Sequence, residues 1–245
     1  MSRSISIVIP TFREELIGEA LEKLLRHLAA LEAFTFELVV VDDTGDAARA
    51  AMQSSWPGSE GDRVTLRVLP GPGQGKGAAV RHGILASTGE LVFTMDADLP
   101  VALDQIEAFI DAADRGADVV VAERPMARNL RTPVRFVLSR GLYVFQRFIV
   151  FQAHVFDDTQ CGFKLFRGDL GRSLAERQAT LGGMYDIELL YAAYVSGAQL
   201  GRVPVIPNPE LRPSKINVWR ALRRDPVDLL RVKWRAMRGR LGPSG

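Results

Sequence analysis

Leu91-Val92-Phe93-Thr94-Met95-Asp96-Ala97-Asp98 is a short apolar run that ends abruptly in two carboxylates. A run of this length, apolar on both alternating faces, reads as a strand buried on both sides. Upstream the same grammar recurs. Ile5 to Ile9, Phe36 to Val41 and Val64 to Leu69 are β-type runs, separated by helical patterns over Glu15 to Leu31, Ala47 to Gln53 and Gly77 to Ala86. Downstream, a helix from Leu103 to Arg115 leads to a further strand, Val119 to Ala122. This alternation predicts an α/β fold, a mostly parallel sheet with helices on both faces. Ligands of such sheets bind at the carboxyl ends of the strands. The residues that follow the strands therefore carry the weight: Pro10 to Glu14, Asp42-Asp43, Asp96 to Asp98 and Glu123-Arg124.

Beyond Arg124 the pattern is less regular, with a helical region over Thr132 to Val155, a strand at Gly162 to Phe166, a helix at Tyr185 to Ser196 and a strand at Gln199 to Val205. Proline-rich residues 204–213 form a break, so the expected organisation is one domain over residues 1–211 and a basic amphipathic helical tail over residues 212–245. At 245 residues, 47% hydrophobic and 24% charged, the chain suffices for one full-sized core. Its net charge of +2 hides a split: ten Lys/Arg against two Asp/Glu from Arg212 onward, and 21 against 27 before it. A basic end on an acidic body suits an anionic partner, a membrane surface or nucleic acid. The single cysteine, Cys161, excludes an intrachain disulfide and a cysteine-built metal cluster, which fits a cytosolic setting. Met1 to Ile7 runs straight into a strand pattern, so no signal peptide is expected. Leu142 to Phe156 is interrupted by Gln146, Arg147, Gln152 and His154, too polar for a membrane span.

Three groups carry chemistry. Asp42-Asp43 ends a buried strand, where carboxylates can accept hydrogen bonds from a base or ribose, or simply cap the next helix. Asp96 and Asp98, at i and i+2, can jointly hold a hard divalent cation, magnesium or manganese, with positions open for diphosphate oxygens, although isolated D-x-D triplets are common in surface turns. Gly71 to Gly77, which contains Lys76, leads into a helix over Ala78 to Ala86, so backbone N–H groups and one ammonium can face an anion, or the segment is simply a glycine-capped surface loop. It is not a P-loop, because the G-x-x-x-x-G-K-[ST] spacing fails. The arginines 124, 128, 131, 135 and 140 suit phosphate groups or a solvated helix face.

Taken in order, Pro10-Thr11-Phe12-Arg13-Glu14, Val40-Val41-Asp42-Asp43, Gly75-Lys76-Gly77-Ala78-Ala79-Val80-Arg81, Asp96-Ala97-Asp98 and Asp158-Thr159-Gln160-Cys161-Gly162-Phe163-Lys164-Leu165-Phe166 resemble the inverting family 2 glycosyltransferases of GT-A (Rossmann-like) fold. Within them the chain is most similar to the polyprenyl-phosphate (dolichyl-phosphate) glucosyltransferases and mannosyltransferases. The resemblance implies donor contacts at Pro10, Phe12, Glu14, one of Asp42 and Asp43, Lys76, Asp96 and Ala97. It implies metal and diphosphate binding at Asp96 and Asp98, and acceptor-phosphate contacts at Arg124, Arg135, Ser139 and Arg140. Asp98, Asp158 and Asp186 are its candidate catalytic groups. Asp186 lies where sugar-accepting members carry a base, but a phosphate dianion needs little deprotonation, so it can instead position groups or balance charge. Arg13 stands where the family has Asn, and Leu99-Pro100 replaces a more polar continuation. Both departures bear on donor recognition.

In the tail, Asp225-Pro226 reads as a helix start, and Val227, Leu230, Trp234, Met237 and Leu241 recur at 3,4,3,4 spacing as one apolar stripe, flanked by Arg231, Arg238 and Lys233. Such a helix either lies in an anionic membrane interface or packs on protein. No nucleic-acid motif is present. The resulting expectation is a metal-dependent hexosyltransferase moving glucose from UDP-glucose, or second mannose from GDP-mannose, to a polyprenyl phosphate. It would be peripheral on the cytoplasmic face of a membrane, with association into a homo-oligomer left open. The alternatives are transfer to a soluble or peptide hydroxyl, a nucleotidyltransferase, whose glycine-rich first loop is missing after Ile9, and a non-catalytic membrane-associated scaffold.

Overall fold

The computed structural model describes residues 2–58, 62–124, 158–206, 208, 218–239 and 241. The described elements run β1 (Arg3–Thr11), α1 (Ile17–Ala29), β2 (Phe34–Asp42), α2 (Asp46–Ser55), β3 (Val64–Pro70), α3 (Lys76–Ala86), β4 (Leu91–Thr94), a 3₁₀ turn (Leu103–Gln105), α4 (Ile106–Asp114), β5 (Val119–Glu123), β6 (Lys164–Arg167), α5 (Gly168–Arg177), α6 (Tyr185–Val195), β7 (Leu200–Pro204) and α7 (Val218–Met237). They build one seven-stranded sheet in the order β3-β2-β1-β4-β6-β5-β7. All neighbours are parallel except β6, which runs antiparallel to both β4 and β5. The predicted mostly parallel α/β sheet is therefore present.

Pleating sends alternate residues of each strand to opposite faces, and both faces are covered. Ile5, Ile7 and Ile9 of β1 meet Leu21, Leu24 and Leu28 of α1 and Phe109 and Ile110 of α4. Val8 and Val41 face Val80 and Ile84 of α3, Leu174 of α5, Leu190 of α6, and Leu229 and Val232 of α7. The last helix thus shares a core with the body instead of standing apart from it. Among the described residues, no helix is long and apolar enough to cross a membrane.

Two elements depart from expectation. The helix α5 was not anticipated, because Gly168 and Gly171 in so short a segment read as breakers. Both sit at close contacts: a Cβ on Gly168 would lie 2.2 Å from the Gly89 carbonyl oxygen, which only glycine accommodates, and one on Gly171 would lie a tight 3.1 Å from Phe166 Cβ. The last helix does not start at Asp225-Pro226. It is already helical from Val218, with Pro226 inside it. The expected helix over residues 132–155, with Arg128, Arg131, Arg135, Ser139 and Arg140, lies outside the described residues.

Candidate active site

The chain winds outward from β1 through β2 to β3, then returns to β4 on the other side of β1, so the sheet has its topological switch point between β1 and β4. Crevices at the carboxyl edge of such a point are where α/β sheets bind ligands. Register brings the relevant ends together: Thr11 pairs with Asp42, and Val8 with Thr94, two residues before Asp96.

On one side lies the segment from Pro10 to Glu14. Phe12 is 61% exposed at the sheet edge. Arg13 is left-handed at φ +50°, its amide donates to Thr44 Oγ1 at 2.7 Å, and its guanidinium lies 5.1 Å from the centre of the Phe12 ring. The family's Asn suits a left-handed backbone better than Arg does. A cleft of about 500 Å³ opens beside this segment, lined by Thr11, Glu14, Asp42, Thr44 and Met52 among others.

The two carboxylates after β2 are not equivalent. Asp42 is buried, and its Oδ2 accepts the amides of Thr44 and Gly45 at 3.1 Å each, with Arg49 Nη1 at 3.7 Å. It braces the turn into α2. Asp43 Oδ1 instead accepts the Gly73 amide at 2.7 Å and ties the glycine loop to β2. Gly71 has to be glycine for that approach, since a Cβ would fall 2.1 Å from the same oxygen.

That loop delivers Lys76. Its ammonium lies 2.6 Å from Asp96 Oδ1, an ion pair whose side chains are 41% and 28% exposed. Asp96 also rests directly on Gly162, where a Cβ would lie 2.3 Å from the carboxyl carbon. This contact joins the Asp158 to Phe166 stretch to the D-x-D triplet. Ala97 packs against the core, and Asp98 reaches solvent. Neighbouring protein strips part of the hydration of Asp98 and Asp96 adds negative charge, which together raise its pKa above the ordinary carboxylate range. Leu99 then turns the chain in a left-handed conformation at φ +48°, held by its amide on the Asp96 carbonyl at 3.0 Å and by Asn208 on its own carbonyl at 3.1 Å. Strain of this kind stands beside the paired Asp96 and the exposed Asp98.

Two acidic groups expected to be catalytic are occupied. Asp158 receives Arg124 in a two-point contact at 2.6 and 3.1 Å, and its Oδ1 also accepts the amides of Gln160 and Cys161 at 3.1 Å. Desolvation alone would lower the Arg124 pKa, but Asp158 overrides it and keeps the guanidinium firmly charged. Asp158 positions Arg124 and folds the turn that carries Gly162. Asp186, at the start of α6, is buried against Lys164, whose ammonium donates to its Oδ1 at 2.7 Å; the two side chains are 5% and 1% exposed. Burial raises the Asp186 pKa, opposed by Lys164 and Lys76. Its carboxylate is buried and paired with an ammonium, not open to solvent. Lys164 and Gly162 were quoted in the motif without a role. The signal for Lys164 was available, because a lysine inside the apolar strand Phe163-Lys164-Leu165-Phe166 requires a buried partner.

Among the described residues no three His, Cys, Asp or Glu side chains cluster as a closed metal site. Two carboxylates at a cleft edge, one already holding a cation, nevertheless fit a hard ion such as magnesium, which binds through one or two carboxylates and takes its remaining ligands from water and phosphate.

Comparison with known proteins agrees with this fold. The glucosyl-3-phosphoglycerate synthase of Mycobacterium tuberculosis, solved with Mn²⁺ and UDP-glucose, superposes with a TM-score of 0.59 at 18% identity, over 93% of this chain and 78% of that one. A dolichyl-phosphate beta-glucosyltransferase, ALG5C, of Trichomonas vaginalis is 30% identical over 229 residues, 87% of this chain and 66% of the relative. This chain thus spans about two thirds of that relative's length. An undecaprenyl-phosphate 4-deoxy-4-formamido-L-arabinose transferase of Klebsiella pneumoniae is 31% identical over 121 residues, 48% of this chain and 36% of that protein. Residues 6–170, from the first strand through the switch-point carboxylates and into α5, match the family described as glycosyl transferase family 2, and the chain belongs to that family.

Proposed function

We propose that the chain transfers a hexose from a nucleoside-diphosphate sugar to the phosphate of a polyprenyl phosphate, with inversion at the anomeric carbon. The observation that carries this reading is the enclosure of Asp186 by Lys164, at the position where members that glycosylate hydroxyls hold their base. A hydroxyl acceptor needs a base within reach of its proton, whereas a phosphate acceptor is already ionised at neutral pH. The names of the two relatives, which specify dolichyl phosphate and undecaprenyl phosphate, support the same acceptor class.

On this reading an acceptor phosphate oxygen attacks the anomeric carbon from the side opposite the diphosphate. The bond from that carbon to the diphosphate oxygen breaks, and its electron pair leaves with the nucleoside diphosphate. Magnesium or manganese on Asp96 and Asp98 would neutralise the charge gathering on the leaving group. Phe12 offers its exposed ring to the base, Asp43 and the glycine loop border the diphosphate, and Arg124, aligned by Asp158, offers its charge to phosphate. UDP-glucose is the first donor, in keeping with the beta-glucosyltransferase relative, and GDP-mannose the second.

The last helix supports a membrane setting. Val227, Leu230, Trp234 and Met237 are exposed along it, with Arg231 beside them and the Arg238 guanidinium 3.8 Å from the centre of a Trp234 ring. An apolar stripe edged by arginine suits an anionic bilayer surface. On this reading the protein is peripheral on the cytoplasmic face.

Thermal unfolding with UDP-glucose and with GDP-mannose, each with and without Mn²⁺, identifies the donor, since a ligand of the native state raises the melting temperature. Transfer of labelled hexose to a short polyprenyl phosphate then tests the acceptor. Transfer to a free hydroxyl but not to the lipid phosphate would sink the proposal.

A further inference from the structure

We infer that Lys76 is a resident cation that holds Asp96 while the site is empty and passes to the donor diphosphate when a divalent metal takes Asp96. This rests on the nucleotide-sugar reading above. It goes beyond that reading by assigning one side chain two successive partners.

The backbone beneath Lys76 is closely packed against its neighbours. Gly75, at φ +110°, lies against the loop after α5: a Cβ there would meet the Leu181 carbonyl oxygen at 2.9 Å. A Cβ on Gly77 would meet the carbonyl oxygens of Thr180 and Gly182 at 2.8 Å. The Ala78 amide donates to Leu181 O at 3.2 Å, and Gln178 Nε2 donates to both Gly77 O and Thr180 O at 2.8 Å. The loop is itself clamped, because Glu188 Oε2 accepts the amides of Ala179 and Thr180 at 3.0 and 2.6 Å while its other oxygen is paired with Arg235 of α7. With the backbone so braced, the four-carbon side chain is the part best placed to change partner.

The pair it makes is built to be released. Lys164–Asp186, sealed in the core, cannot exchange partners without leaving a buried charge unpaired. Lys76–Asp96 has both side chains partly in solvent, so its net stabilisation is small. A divalent metal and an ammonium cannot share Asp96 Oδ1 at 2.6 Å without strong repulsion. Displaced from Asp96, the ammonium is left at the first residue of α3, at the positive end of the helix dipole, where an incoming anion is favoured. The diphosphate that accompanies the metal is that anion.

The test measures binding by calorimetry, not turnover. Mn²⁺ alone should bind Lys76→Met about two- to fivefold more tightly than the unchanged protein, because no ion pair has to be displaced. UDP in the presence of Mn²⁺ should bind the variant about tenfold more weakly, having lost a charge-assisted contact. Lys76→Gln, which keeps a polar tip, should give the same pair of opposite shifts and guards against a folding defect in the methionine variant. If Mn²⁺ binds both proteins alike, or more weakly to the variants, Lys76 is no placeholder. If UDP affinity is unchanged, it has no second partner. If the unchanged protein takes up no Mn²⁺ even with UDP, the metal-site reading itself fails and the inference falls with it.

Discussion

Arg13 and Leu99 are the two non-glycine residues with left-handed backbones among those described, and they flank the switch point on either side. A left-handed backbone is disfavoured for a long side chain, and Asn tolerates it because its short amide bonds locally. Arg13→Asn should therefore raise stability by about 0.5–1 kcal/mol in urea unfolding, with its amide still free to donate to Thr44. The buried pair of Lys164 and Asp186 makes the opposite case. Lys164→Met strands a carboxylate in the core and should cost about 3–5 kcal/mol, whereas Lys164→Met combined with Asp186→Leu should recover most of that loss. A double-mutant cycle in urea reads the difference. If the two single losses simply add, the pair is not coupled as its 2.7 Å contact requires.

Among elements, α7 is the one whose sequence pattern and packing diverge. The 3,4 spacing of Val227, Leu230, Trp234, Met237 and Leu241 marks an apolar stripe, yet the helix seats on the body through Leu229, Val232 and Ala236, leaving the first four outward, while Leu241, expected on the same stripe, is buried in the core beyond the helix end. Periodicity reports that a face is apolar, not what covers it, and here two faces qualify. The two faces should separate experimentally. Val232→Ala should destabilise the protein by about 1–3 kcal/mol, as a buried truncation does. Leu230→Ser with Trp234→Ser should leave thermal unfolding within about 0.5 kcal/mol of normal but reduce co-sedimentation with vesicles containing anionic lipid. Unchanged sedimentation would remove the outward stripe from the membrane argument. The same limit explains α5, where Gly168 and Gly171 look like breakers until Gly89 and Phe166 are seen packed against them.

At the scale of the molecule, the sheet divides its labour between its two ends. The carboxyl edge, with Asp43, Asp96, Asp98 and Lys76, was legible from sequence because apolar β runs ending in carboxylates announce both the strand and its exit. Which carboxylates are open was not legible. Enclosure of Asp42, Asp158 and Asp186 depends on Thr44, Arg124 and Lys164, partners fixed only by tertiary packing. The amino edge carries a polar brace that sequence did not mark at all. Glu37 of β2 accepts Ser6 of β1, the amide and hydroxyl of Thr88 before β4, and Arg67 of β3, so one carboxylate ties the amino ends of three strands and the approach to β4. Burial alone would raise its pKa, but these donors outweigh burial and hold it below the ordinary range. The sign follows from proton uptake. A carboxylate with a lower pKa folded than unfolded leaves the unfolded chain binding more protons on acidification, so stability falls with pH. The contribution of Glu37 is complete above the unfolded glutamate value of about 4.3 and is lost as pH drops through the lowered folded value. Glu37→Gln should therefore lower stability at pH 7 by about 1–3 kcal/mol, and its deficit relative to the unchanged protein should shrink as pH falls below about 4.3. Urea unfolding at several pH values checks this, and a deficit that stays constant would show that the brace acts through packing instead of charge.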